Sequence, residues 1–196
     1  MLKLFIVRLF SLALITEGHC STIQVGTGKI QKGQTAITNE CLEFSRNTDC
    51  RFYDCLHARF SCGLKEVPQH SSRAKCEEGK RAVNRLHDRD KKWMQDIMKC
   101  VMDKMTKTYK GSEFNCYMTV EVVLNRQADC YVENDFCKVG WSRRDALKSV
   151  FEEHMKKPGK YLFPLLWKNL QRAAAKCLTK DSEKLVTWMK KQFPTL

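Results

Sequence analysis

CLEFSRNTDCRFYDCLHARFSC, residues 41–62, sets four cysteines among Leu42, Phe44, Phe52, Tyr53, Leu56 and Phe60. The apolar residues show no sustained alternation, so the stretch reads as short helices clamped by bridges, not as strands. It opens a ladder of ten cysteines: Cys41, Cys50, Cys55, Cys62, Cys76, Cys100, Cys116, Cys130, Cys137 and Cys177. Ahead of the ladder stands MLKLFIVRLFSLALITEGHC. Lys3 gives a positive start, an apolar run follows from Leu4 to Ile15, and small or polar residues close it, the layout of a cleavable signal peptide. A spanning helix needs about 20 apolar residues, and this run is shorter and broken by Arg8. Cleavage after Gly18 or after Cys20 fits, so Cys20 either leaves or stays as a thiol able to join two chains. The expected organisation is a signal peptide at 1–20, a flexible tail at 21–40, a bridged helical domain at 41–180 and a C-terminal helix or tail at 181–196. Beyond the signal no stretch is apolar enough to span a membrane, so a secreted, soluble protein is expected.

In an oxidising compartment an even cysteine set reads as a disulfide framework. Structural zinc favours repeated C-x-x-C pairs; the tightest pair here is Cys50-x4-Cys55, and no histidine pair accompanies it. No metal and no cofactor are expected. Each bridge typically stabilises by about 2–4 kcal/mol, reinforcing a core that a chain of this length can build.

Further along, the period stays helical. Ser71 or Ser72 starts a helix to about Leu86, and Asp88 or Asp90 caps the next. Trp93, Ile97, Cys100 and Val101 fall on one face, with Met94, Met98 and Met105 beside them. Gly111 ends that helix. Ser112 is read as opening another, striped by Tyr117, Val120, Val123, Leu124, Ala128 and Tyr131, with Cys116, Cys130 and Cys137 aimed to one side. Gly140 stops it. Ser142 to Asp145 resembles a capping box, Pro158-Gly159 ends the following helix, Pro164 begins the next, and Asp181 caps the last. The fold class is all-α, a disulfide-stabilised domain of about five to seven helices.

The formal net charge is +13. Lys3, Arg8 and Glu17 leave +1 on the signal, so +12 remains after it. Such a surface meets heparan-type glycans and anionic cell surfaces. The candidate polyanion contacts are Arg143, Arg144, Lys156, Lys157 and Lys160. Intracellular nucleic-acid binding does not suit the compartment. A small secreted hydrolase is a rival class, with His57 its most tempting residue. The cysteine pair and calcium loop of a phospholipase A2 are missing around it, and His70, His87 and His154 are scattered without a matched nucleophile or base. The chain is read as a binder and not as an enzyme.

The intervals Cys76-x23-Cys100-x15-Cys116-x13-Cys130-x6-Cys137, with Cys41-x8-Cys50-x4-Cys55 before them, resemble those of the stanniocalcins, secreted helical polypeptide hormones. The resemblance covers roughly residues 41–180. It implies bridges Cys41–Cys55, Cys50–Cys76, Cys62–Cys116, Cys100–Cys130 and Cys137–Cys177, one choice among about 945 pairings. It also implies a role in calcium and phosphate homeostasis, and a cell-surface receptor or a pappalysin-type metalloprotease as partner. Two departures mark a divergent member, for which an invertebrate origin would fit. The eleventh cysteine that links family dimers is missing after Cys177, so a homodimer would form non-covalently or through Cys20. No N-x-S/T glycosylation sequon is present.

Overall fold

The computed structural model describes residues 30–62, 71–116, 119–155 and 162–193. Among them run β1 (Ile30–Lys32), α1 (Asn39–Arg46), α2 (Phe52–Arg59), α3 (Ser71–Asn84), α4 (Asp88–Lys110), β2 (Glu113–Asn115), α5 (Thr119–Glu133), α6 (Phe136–Val139), α7 (Arg144–Met155), α8 (Leu162–Ala175) and α9 (Lys180–Gln192). The all-α class holds. The nine helices exceed the expected five to seven because the cysteine-rich turns cut the chain into short pieces: α1 and α2 have eight residues each and α6 only four.

α4 is the organising helix. Its apolar period buries Trp93, Met94, Ile97, Val101, Met102, Met105 and Tyr109 along one side. That side packs against α1, α3 and α5; α5 leans on α8, and α8 carries α7 and α9. Aromatic rings fill the joints at edge-on or tilted angles. Trp93 meets Tyr131 with ring centres 5.9 Å apart, and Tyr131 meets Phe136 at 5.6 Å. The buried indole N–H groups each find a carbonyl: Trp93 donates to Asn134 at 2.8 Å and Trp167 to Met189 at 3.1 Å. That removes the cost of burying an unpaired donor.

The reading of 21–40 as tail is corrected from residue 30 onward. β1 pairs antiparallel with β2 in the register Ile30↔Asn115, Gln31↔Phe114, Lys32↔Glu113. Arg59, only 8% exposed, clamps the chain that follows. Its guanidinium donates to the Thr35 carbonyl, and to the Gly111 carbonyl at 3.0 Å. Gly33 is needed beside it, since an added Cβ would lie 2.6 Å from the Arg59 Cζ. Arg59→Met keeps much of the bulk but orphans two carbonyls. It is expected to destabilise by about 2 kcal/mol and to speed amide exchange over residues 30–36; unchanged exchange there would contradict the clamp.

The same strand pair overturns the long helix from Ser112. Residues 113–115 give their backbone bonds to β1, and α5 begins only at Thr119. Cys116 therefore precedes α5. Cys137 follows a break at Asp135, whose φ of 61° lies in the left-handed region and starts α6. Only Cys130 of the three sits on α5, so they do not share one helical face. The expected caps shift as well. His87 occupies the N-cap of α4, leaving Asp88 and Asp90 in the first turn to complement the dipole. The Ser142 hydroxyl donates back to the Val139 carbonyl at 2.9 Å rather than opening α7. Thr179, not Asp181, caps α9 through a reciprocal pair with Ser182. Gly111 does end α4. The Pro158-Gly159 stop lies outside the described residues.

Two local features invite substitution. Thr48, between α1 and α2, holds φ at 50°, a region unfavourable to a β-branched side chain. Thr48→Gly is expected to raise stability by about 0.5–1 kcal/mol, read as a higher melting temperature. Gly79 lies inside α3, where glycine costs about 1 kcal/mol against alanine. A Cβ added there meets nothing within 4 Å. Gly79→Ala is therefore also expected to stabilise, by about 0.5–1 kcal/mol; a lower melting temperature would contradict the open space.

Candidate functional site

The cysteines define the scaffold on which any binding surface rests. Cys41 is joined to Cys55, Cys50 to Cys76, Cys62 to Cys116, Cys100 to Cys130 and Cys137 to Cys177. These are the pairs that the resemblance implies. The first ties α1 to α2. The second ties the turn before α2 to α3. The third joins the chain after α2 to the approach to α5. The fourth staples α4 to α5, and the fifth fastens α6 to the end of α8. Cys20 lies outside the described residues.

Of the expected polyanion contacts, Lys156, Lys157 and Lys160 also lie outside the described residues. Arg143 is engaged inside the fold. Its Nη1 donates to the Arg89 carbonyl at 2.7 Å and sits 3.3 Å from Asp90 Oδ1, while the guanidinium lies 5.4 Å from the Trp93 ring centre. The side chain is 16% exposed, leaving little of it for a ligand. The Arg144 guanidinium lies over Trp141, 4.3 Å from the ring centre, and donates to the Trp141 carbonyl at 2.9 Å. It is 31% exposed, and the Trp141 it covers lines a groove that sequence reading missed.

That groove is open, about 660 Å³, and runs along α9. Lys180, Lys184, Thr187, Trp188 and Lys191 recur at i, i+4, i+7, i+8 and i+11 and so share one helical face. Trp141 closes the other wall. Trp188 is braced from beneath by Trp167, with ring centres 6.2 Å apart. Lys184 pairs with Asp181 at 3.1 Å, and Glu183 adds one opposing charge. The lysine spacing is visible in the sequence. The tryptophan opposite, Trp141, lies 39 residues before Lys180 and is not.

Among the described residues no hydrogen bond ties His57 or His87 to a nucleophile or an acid. Burial pushes the Tyr53 phenol up to about 12 and the Tyr131 phenol higher still, so both stay neutral at physiological pH. Asp49 is held down at about 2 because its carboxylate accepts from the Arg51 guanidinium at 2.6 Å. That is a turn-fixing contact between α1 and α2. Cys100, Cys130 and Glu133 come within 4.8 Å of one another, as metal ligands would. Both sulfurs are consumed by their bridge, and Glu133 takes Lys104 Nζ at 2.7 Å. No thiolate is left to bind an ion there.

No helix among the described residues is long and apolar enough to cross a membrane. The family model described as the stanniocalcin family matches residues 3–186. No curated protein matches significantly, and no solved structure does.

Proposed function

Since the chain belongs to the stanniocalcin family, a family of secreted hormones rather than enzymes, we propose that it is a secreted signalling protein acting by binding, with a role in calcium and phosphate homeostasis. The family match over nearly the whole chain carries this reading. The bridged helical scaffold supports it, since ten cysteines closed in five bridges suit an oxidising, extracellular setting. The residues of the leader and Cys20 would set where the mature chain begins and whether two chains join covalently. The proposed protein partner is a cell-surface receptor or a pappalysin-type metalloprotease. The test adds the bridged protein to epithelial cells and measures calcium and phosphate uptake, with the same protein reduced and alkylated as control. A dose-dependent change that reduction abolishes is expected; no change at micromolar protein contradicts the hormonal role. Slowed cleavage by a pappalysin-type protease would identify that partner.

The α9 groove favours a second reading, a sulfated glycan bound at the cell surface. Three lysines and Arg144 around two tryptophan rings offer charge to sulfates and flat faces to sugar rings. Surface attraction of this kind weakens with salt. The full-length protein is expected to elute from heparin only at raised salt. Lys180→Glu with Lys184→Glu and Lys191→Glu should move elution to clearly lower salt. Retention indifferent to that triple change would remove the groove from the reading.

A further inference from the structure

An open-sided pocket of about 240 Å³ lies where the α1–α2 turn, α3 and α4 meet. The Cys50–Cys76 bridge fixes its walls, because Cys76, Lys80 and Asn84 follow at i, i+4 and i+8 on one face of α3. The turn before Cys50 brings Asn47 and Thr48, and α4 brings Gln95. Val83, 2% exposed, and Met98 add an apolar patch. The polar groups are unspent. Among the described residues the side-chain amides of Asn47, Asn84 and Gln95 have no hydrogen-bond partner. Each offers two N–H donors and a carbonyl acceptor. Lys80 is the one cation of the lining, and its ammonium donates only to the Thr48 carbonyl, at 3.2 Å. No acid lines the pocket among the described residues. Asp49 feels the ammonium, but its carboxylate accepts from Arg51 at 2.6 Å, and Asp96 beside Gln95 holds Lys92. Thr48 stands in this wall with φ at 50°, a conformation costly for threonine. Backbone held in such regions gathers at ligand sites.

These groups narrow the ligand. One ammonium matches one negative charge. Phosphate and sulfate sites draw on arginines or helix N-termini, and neither lines this pocket. Three free carboxamides match a ligand rich in hydroxyl and amide groups. The volume is below the roughly 300–1,000 Å³ that encloses drug-sized ligands, so a single sugar ring is the right scale. The apolar patch takes a methyl group. We propose that the pocket binds a sugar with one carboxylate and an acetamido group, a sialic acid at the end of a cell-surface glycan. Its carboxylate meets Lys80, its hydroxyls and amide meet Asn47, Asn84 and Gln95, and its acetamido methyl lies on Val83 and Met98. The pocket shares no residue with the α9 groove, so it stands or falls apart from the sulfated-glycan reading.

The test titrates the full-length, bridged, isotope-labelled protein and follows the side-chain amide signals of Asn47, Asn84 and Gln95 by NMR. The probe is the methyl glycoside of N-acetylneuraminic acid; methyl glucuronide, methyl galactoside and sodium acetate are the comparisons. The sialoside is expected to shift these signals, binding at least about tenfold more tightly than the galactoside or acetate, the worth of a charged hydrogen bond. Methyl glucuronide, which has the carboxylate but not the acetamido methyl, should fall between. Lys80→Met should weaken the sialoside about tenfold. Gln95→Glu keeps the size and loses no internal hydrogen bond, so it should leave the melting temperature unchanged while its charge repels the carboxylate. A sialoside that leaves the signals in place overturns the site. So does a comparison compound that binds as tightly as the sialoside, or a Gln95→Glu variant that binds as wild type.

Discussion

Replacing Cys62 and Cys116 together by alanine is expected to lower stability by about 4 kcal/mol. This bridge closes the longest loop of the five, a separation of 54 residues, and the entropy removed from the unfolded chain grows with loop length. The other bridges do not shortcut it. Cys50–Cys76 opens outward from one end, and Cys100–Cys130 only leads on to α5. Both sulfurs are also packed away, Cys62 at 8% and Cys116 at 1% exposure, so their loss adds a small cavity. The bridge lies next to the β1–β2 pair through Cys116, so that sheet should loosen first. For a domain of this size the melting temperature should fall by about 8–16 °C. The double substitution matters, since a single one would leave a free thiol able to scramble the remaining pairs. Calorimetry under non-reducing conditions checks it; a fall of only a degree or two would show that the loop is held by packing alone.

Trp167→Ala is the second large effect, expected at about 3–5 kcal/mol. Trp167 is fully buried on α8. Its ring centre lies 5.0 Å from Phe151 of α7, 4.9 Å from Phe193 after α9, and 6.2 Å from Trp188 of α9. It also donates to the Met189 carbonyl, which would be left without its indole partner. One side chain therefore joins three helices, and alanine would remove the joint. Trp167→Phe should cost clearly less, because a ring remains. The expected readout is a lower urea midpoint at unchanged slope, meaning lost stability without a change in the unfolded state. A midpoint shift equal for Ala and Phe would put the effect on the hydrogen bond rather than the packing.

What could be read from the chain was whatever depended on neighbours in sequence. The α4 stripe from Trp93 to Met105 follows from helical period alone, and the structure buries it. Gly111 as its stop needed only local geometry. The misses needed distant partners. Strands of three residues carry no alternation to detect, and Ile30–Lys32 finds its mate more than 80 residues on. With Glu113–Asn115 unpaired, extending α5 back to Ser112 was the natural reading. Asp181 and Thr179 are both capping types, and only the reciprocal contact with Ser182 chooses between them. Arg143 looked like surface charge until α4 brought Asp90 and Trp93 beneath it. Gln127 drew no attention in an apolar stripe because the burial of its Oε1 is a property of the folded chain.

The disulfide framework joins fold, compartment and family, so its connectivity is the most direct test of the whole reading. A non-reduced proteolytic map of the protein, resolved by mass spectrometry, is expected to recover Cys41–Cys55, Cys50–Cys76, Cys62–Cys116, Cys100–Cys130 and Cys137–Cys177, with none of these ten thiols free. Any other pairing among them, above all Cys100 away from Cys130 or Cys137 away from Cys177, would contradict it.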